Sequence, residues 1–204
     1  MLNRPKIIVF DIGGVLLNWK VVIPLIANKL KITPEQFHQE LQKSLVELEL
    51  GKMHQDEFWR HLCEKYKYNG NFRELKKIWI EDQPRIEYGW KLAKSAKENK
   101  FRVVCCTNNW KDTVKRQKEI HPDFSLFEFI LDSGDLGIRK PDEEIYRIIE
   151  DKVGESGQEI LLIDDSQENC EGASRLGWQT YQFNFQIGDS TEKFADLKRL
   201  IDRI

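Results

Sequence analysis

KIIVFDIGGVL, residues 6–16, runs through four apolar residues straight into Asp11 and then reaches two glycines. A short apolar run rich in β-branched side chains has the pattern of a strand buried on both faces. Open α/β sheets bind ligands in the crevice beyond the carboxyl ends of their strands, and Asp11 falls at such an end. Gly13 and Gly14 allow a tight turn and a close approach of backbone to ligand. A carboxylate in that place can act as nucleophile, metal ligand or helix cap, so other segments must discriminate.

Four more apolar runs read as strands: 102–107, 127–132, 160–164 and 179–183. Helical patterns lie between the later ones. Ile145, Ile148, Ile149 and Val153 form one apolar stripe, with Pro141 and three acidic residues ahead of it as its first turn and Gly154 at its end. Phe194, Leu197, Leu200, Ile201 and Ile204 repeat the stripe near the C-terminus. Strands alternating with helices predict an α/β fold, a Rossmann-like parallel sheet with helices on both faces. Residues 18–82 differ, because they hold helical segments and no convincing strand. Thr33-Pro34-Glu35-Gln36 has capping-box spacing with Pro at the first helical position. This block reads as an all-helical cap inserted into a core made of residues 1–17 and 83–204.

The 204 residues suit one large domain, or a core carrying a smaller insertion. Net charge is −2, and basic residues are interspersed with acidic ones, so neither nucleic acid nor an anionic membrane is an expected partner. The apolar N-terminal run is too short for a signal peptide, and residues 21–27 are too short to span a bilayer. Cys63, Cys105, Cys106 and Cys170 lack zinc-ligand spacing and read as reduced thiols of a cytoplasmic protein. Adjacent in a strand, Cys105 and Cys106 should point to opposite faces.

Polar residues close the other strands. Thr107 and Asn108 end the second, offering a hydroxyl and an amide to an anion. Lys140 stands just ahead of a helix start, where a cation and free N–H groups can neutralise phosphate oxygens. Asp164 and Asp165 end the fourth strand, and adjacent carboxylates repel unless a cation is near. With Asp11 they make an oxygen-rich set of the kind Mg²⁺ prefers. These parts describe phosphoryl transfer: Asp11 attacks phosphorus to give an aspartyl-phosphate, and Mg²⁺ offsets the repulsion between two anions. Thr107, Asn108 and Lys140 stabilise charge on the phosphoryl oxygens.

FDIGGVL, the TNN strand end, GIRKP, and IDDSQEN followed by GASRLGW occur in this order, and with it the chain resembles the haloacid dehalogenase superfamily, in the helical-cap branch. FDIGGVLLNW with SGDLGIRKPDEEIY is most similar to small bacterial members that dephosphorylate sugar phosphates and related metabolites. The resemblance implies Asp11 as nucleophile, Thr107 and Lys140 as phosphate holders, and Asp165 as a direct Mg²⁺ ligand. Asp164 would bind the ion directly or through water, and the Gly13 carbonyl would complete the protein's ligands. It implies as substrate a small phosphorylated metabolite. One position departs from the family pattern: the general acid of most such phosphatases, an Asp two residues after the nucleophile, is here Gly13.

Three explanations follow: a good leaving group, as in a sugar 1-phosphate; a proton from a cap residue such as Glu47, Glu49 or His54; or a slow or inactive protein. Two other functions stay open, a metal-independent haloacid dehalogenase-like hydrolase and a catalytically weak binding protein of the same fold. Trp19 and Trp110 follow catalytic strands and are expected to line the pocket, whereas Trp59, Trp79 and Trp90 read as packing residues. Asn169 reads as a residue that caps or orients the loop after the acidic pair, and His54 and His61 as surface histidines.

Overall fold

A computed structural model describes residues 4–183 and 192–202. β1 (Ile7–Phe10), β2 (Arg102–Thr107), β3 (Ile130–Asp132), β4 (Ile160–Asp164) and β5 (Gln179–Gln182) form one parallel sheet in the order β3-β2-β1-β4-β5. β3 is shorter than the apolar run that predicts it, although the Glu128 N–H already bonds Val103 O and Phe129 O accepts from Cys105 N. The order reverses at β1, with β2 on one side and β4 on the other, so Asp11 and Asp164 emerge side by side at the switch point.

Side chains of the central strands alternate between two cores, as the period of a strand requires. Ile8, Phe10, Cys105 and Ile163 face α5 (Glu87–Glu98) and α10 (Glu192–Asp202) through Trp90, Ala93, Leu197 and Ile201. Ile7, Val9, Cys106 and Leu162 face α8 (Glu143–Val153) and α9 (Gln167–Arg175) through Ile145, Tyr146, Ile149 and Ala173. The two adjacent thiols thus point to opposite faces, as expected. α8 starts after Asp142, so Pro141 precedes the helix instead of sitting in its first turn, which Glu143 and Glu144 occupy. Of the C-terminal stripe, Leu197 and Ile201 are buried and Leu200 is half-buried, while Ile204 lies outside the described residues.

Between β1 and α5 come four α-helices: α1 (Val22–Leu30), α2 (Pro34–Glu49), α3 (Gln55–Lys65) and α4 (Phe72–Glu81). They enclose an apolar cluster of their own that includes Ile26, Phe37, Trp59, Leu62 and Trp79. α2 starts on the anticipated capping box, in which Thr33 Oγ1 accepts from Gln36 N at 3.2 Å and Gln36 Oε1 accepts from Thr33 N at 2.9 Å. Where the chain leaves and rejoins the sheet, its two crossings run side by side. Asn18 N donates to Pro84 O at 2.9 Å, and Ile86 N donates to Leu16 O at 2.8 Å. Trp110, from the loop after β2, joins the aromatic cluster of the helical block. The remaining core helices are α6 (Thr113–Ile120) and the short α7 (Ser133–Leu136).

Asp132, at the end of β3, caps α7 through Oδ1, which accepts from Gly134 N at 3.1 Å, while its buried Oδ2 has no partner. Burial pushes this carboxyl up to about 7, with Asp135 and Asp112 adding to the effect and the Gly134 N–H opposing it. The folded state therefore holds this proton more tightly than the unfolded chain does. Its contribution to stability falls as pH rises from the ordinary carboxylate range to about 7. Asp132→Asn keeps the acceptor for Gly134 and carries no charge. Thermal melts should show the variant more stable than the parent at pH 8, by on the order of 1–3 kcal/mol, and nearly equal to it at pH 4.

Candidate active site

Asp11 follows the last residue of β1, and its N–H donates to Ile163 O at 2.9 Å, which extends the ladder one step toward β4. Asp164 ends β4 and Asp165 follows it. Asp11, Asp164 and Asp165 offer carboxylate oxygens that all lie within 4.8 Å of one another, so residues more than 150 positions apart share one site. Gly14 makes this packing possible. Its φ is +74°, and a Cβ there would overlap the Asp165 carboxylate.

Lys140 lies wholly buried beneath these carboxylates. Its Nζ donates to Asp11 Oδ1 at 3.0 Å, to Asp164 Oδ2 at 2.6 Å and to the Cys106 carbonyl at 2.6 Å. Those bonds engage all three of the ammonium's protons, so the residue works from below and does not line the pocket floor. Opposing carboxylates hold its pKa well above the ordinary lysine value despite the burial that pulls it down. Asn108 serves this arrangement: its Nδ2 donates to Lys140 O and its Oδ1 accepts from Lys140 N, both at 2.8 Å. The side chain expected to offer an amide to an anion lines the pocket and also clamps the loop that delivers Lys140.

Asp164 is also fully engaged. Beyond Lys140, its Oδ1 accepts from Ser166 N at 2.9 Å and from Asn169 Nδ2 at 3.0 Å. Asn169 thus orients the acidic pair, and its own carbonyl accepts from Tyr146 Oη at 2.8 Å. Asp11, Asp165, Gly13 and Thr107 line a pocket of about 240 Å³ between the strand ends and the helical block. Burial raises the Asp11 carboxyl to about 7; Lys140 opposes the shift, and Asp164 and Asp165 add to it. Asp165 is raised to about 6, mainly by burial and then by Asp164. One ammonium buried among three carboxylates leaves surplus negative charge facing the pocket, a donor set suited to a hard divalent cation.

The helical block supplies the opposite wall through Trp19, Leu41, Leu45, Glu49 and Trp79. Trp19 and Trp110 take their expected places. Trp79, read from sequence as a packing residue, both packs and lines the pocket, stacked on Trp110 with centroids 4.7 Å apart. Trp59 and Trp90 are buried in cores, as anticipated. Arg139 is a pocket residue that the sequence reading passed over. Its only signal was its place next to Lys140. His54 and Glu47 stand apart from this site: His54 caps α3, its Nδ1 accepting from Asp56 N at 3.2 Å, and Glu47 is exposed.

A family model for haloacid dehalogenase-like hydrolases matches residues 5–177. The chain belongs to that family. Among relatives of this hydrolase, the sesquiterpene phosphatase astK of Aspergillus oryzae is 25% identical over 201 residues, covering 96% of this chain and 96% of the relative. The D-ribitol-5-phosphate phosphatase of Bacteroides thetaiotaomicron is 27% identical over 192 residues, covering 87% of this chain and 91% of the relative. A family enzyme of the same bacterium, solved in complex with magnesium and inorganic phosphate, superposes with a TM-score of 0.66. That match is 22% identical and covers 87% of this chain and 93% of that one, a likeness of fold.

Replacing Lys140 with Met should strand two buried carboxylates. Removing one partner of a buried ion pair costs about 3–5 kcal/mol, so Lys140→Met should lower the urea midpoint sharply. An unchanged midpoint would show that the ammonium does not hold the strand ends together.

Proposed function

We propose that this hydrolase is a Mg²⁺-dependent phosphatase that cleaves a small phosphorylated metabolite through an aspartyl-phosphate on Asp11. The convergence of Asp11, Asp164 and Asp165 around the Lys140 ammonium carries the reading. Asp11, Asp165 and the Gly13 carbonyl would hold Mg²⁺, with Asp164, already engaged by Lys140, Ser166 and Asn169, acting through water. When bound, the ion offsets the charge repulsion between nucleophile and phosphate. An Asp11 oxygen attacks phosphorus as the bond to the departing oxygen breaks, and water then attacks phosphorus, which frees Asp11 and inorganic phosphate. Lys140 keeps Asp11 aimed and favours its ionised form, while Thr107 contributes a hydroxyl to the phosphoryl oxygens. In this reading Asn108 acts on the phosphate site through the loop that carries Lys140.

The helical block serves as a cap over the phosphate site, with residues 18–82 as cap and the flanking segments as core. Its indole faces, together with polar groups such as Gln42 and Gln83, suit a ligand with an apolar C–H face and hydroxyls, and so a sugar phosphate. A sugar 1-phosphate is the ester that would ask least of an acid at Gly13. A cytoplasmic setting accords with four unpaired cysteines. Among the described residues no helix is long and apolar enough to cross a membrane. Halide displacement without metal would leave Asp165, which faces the pocket beside Asp11, without a counter-charge.

Purified protein should release phosphate from at least one ester in a panel that includes sugar 1-phosphates and sugar 6-phosphates. EDTA should stop release and Mg²⁺ should restore it. Asp11→Asn should bring release to background. Activity that survives either the substitution or thorough chelation would refute the mechanism.

A further inference from the structure

We propose that Glu49, delivered by the cap at the end of α2, is the proton donor and acceptor of the reaction, standing in for the acid missing at Gly13. This rests on the phosphatase reading above and adds a catalytic residue to it.

Glu49 is buried and lines the same pocket as Asp11 and Thr107. It reaches the pocket from the helical block, opposite the strand ends. Its position is fixed by backbone: Gly51, two residues on, has a φ of +64°, and a Cβ there would overlap the Gly134 carbonyl of α7. The end of α2 is therefore docked on the core with no room for a side chain between them. Arg139 Nε lies 2.8 Å from Glu49 Oε2. The N–H does not point along that line, so neither atom has a hydrogen-bond partner in the protein. The guanidinium fixes the carboxyl by charge through its buried Oε2.

The other ionisable groups of the pocket cannot take this part. Asp11 and Asp165 belong to the carboxylate cluster, Arg139 does not release its proton near neutrality, and Glu168 is exposed. Nor can Gly13 simply be read as a lost Asp, because a Cβ at Gly13 would come within 3.3 Å of Trp19 Cδ1. The indole crowds this position and would have to shift to admit a longer side chain. Burial pushes the Glu49 carboxyl above the ordinary range, against the pull of Arg139 and Lys140, so it retains a proton to give closer to neutrality.

The proton balance closes over the two steps. Glu49 gives its proton to the ester oxygen as the phosphorus–oxygen bond breaks and Asp11 takes the phosphoryl group. The resulting carboxylate takes a proton from the water that attacks phosphorus as the Asp11–phosphorus bond breaks. Ester and water become alcohol and phosphate, and both carboxyl groups return to their starting states.

The decisive comparison sets Glu49→Gln against the parent on two esters, p-nitrophenyl phosphate and an alkyl monoester such as a sugar 6-phosphate. Nitrophenolate leaves without a proton and an alkoxide does not. The variant should lose about 10²–10⁴-fold in kcat on the alkyl ester and only a few-fold on the aryl ester, and the alkaline limb of its alkyl-ester pH profile should disappear. Groups that share the pocket with Glu49 and shape that limb are Arg139 from the loop before Lys140, Asp11 and Asp165 from the strand ends, and the exposed Glu168 of α9; Lys140 acts on it from beneath. An equal fall on both esters would reduce Glu49 to a structural latch and overturn the assignment, as would no fall on the alkyl ester. Should the variant fail to fold, the parent decides alone: its rates across esters of graded leaving-group acidity should vary weakly, and a steep dependence overturns the proposal. A parent that turns over no ester at all defeats the phosphatase reading as well.

Discussion

Three acceptors share the Lys140 ammonium: the carboxylates of Asp11 and Asp164 and the carbonyl of Cys106. They belong to the ends of three neighbouring strands, β1, β4 and β2. A wholly buried ammonium is costly to desolvate unless every proton finds an acceptor, and its attraction for two carboxylates operates where water screens little. The ion therefore does for the strand ends what hydrogen bonds do for the strands below them. Asn108 secures the other side of the arrangement by pairing both of its side-chain groups with the Lys140 backbone. Displacing any of these groups leaves another buried without a partner.

The same ion sets the electrostatics of the pocket. Lys140 reduces the charge of the acidic cluster without cancelling it, and burial, with the neighbouring carboxylates adding to it, raises the carboxyls of Asp11 and Asp165. Asp164, enclosed by Lys140, Ser166 and Asn169, has little left to offer a ligand, whereas Asp11 and Asp165 face the pocket. Two neighbouring acids of the same type thus come to differ through their surroundings, one as scaffold and one as open donor. Gly14 is part of this division, since only a residue without a side chain leaves Asp165 its place.

Much of this was legible from sequence because strands and their ends leave local marks. An apolar run that stops on a polar residue locates a strand end, and period-2 alternation correctly separated Cys105 from Cys106. Asp11, Thr107 and Asp165, which line the pocket, were located in this way. What sequence could not show was which partner each polar group would choose. Asn108 looked like a donor to an anion, yet the Lys140 backbone claims it from 32 residues away. Trp79 reads as packing because α4 has a clear apolar face, and whether such a face also opens on a cavity depends on the docking of the whole block. The pairing of Arg139 with Glu49 spans 90 positions and two separate layers, and no periodicity reports it.

The helical block and the core meet over the site through contacts of unlike kinds, and the difference has consequences for selectivity. Trp110 comes from the core but packs within the aromatic cluster of the block, against Phe58, Trp59 and Trp79. Broad apolar contact of this sort is tolerant of small shifts. The contact of Gly51 with Gly134 is closer, because backbone meets backbone there with no room for a side chain. One end of the block is thus held rigidly, at the residue pair that places Glu49, while its aromatic wall is held by packing alone. A ligand that enlarges the pocket would move the wall more readily than the acid. Under the proposed mechanism, substrate size could vary while Glu49 keeps its place over the strand ends.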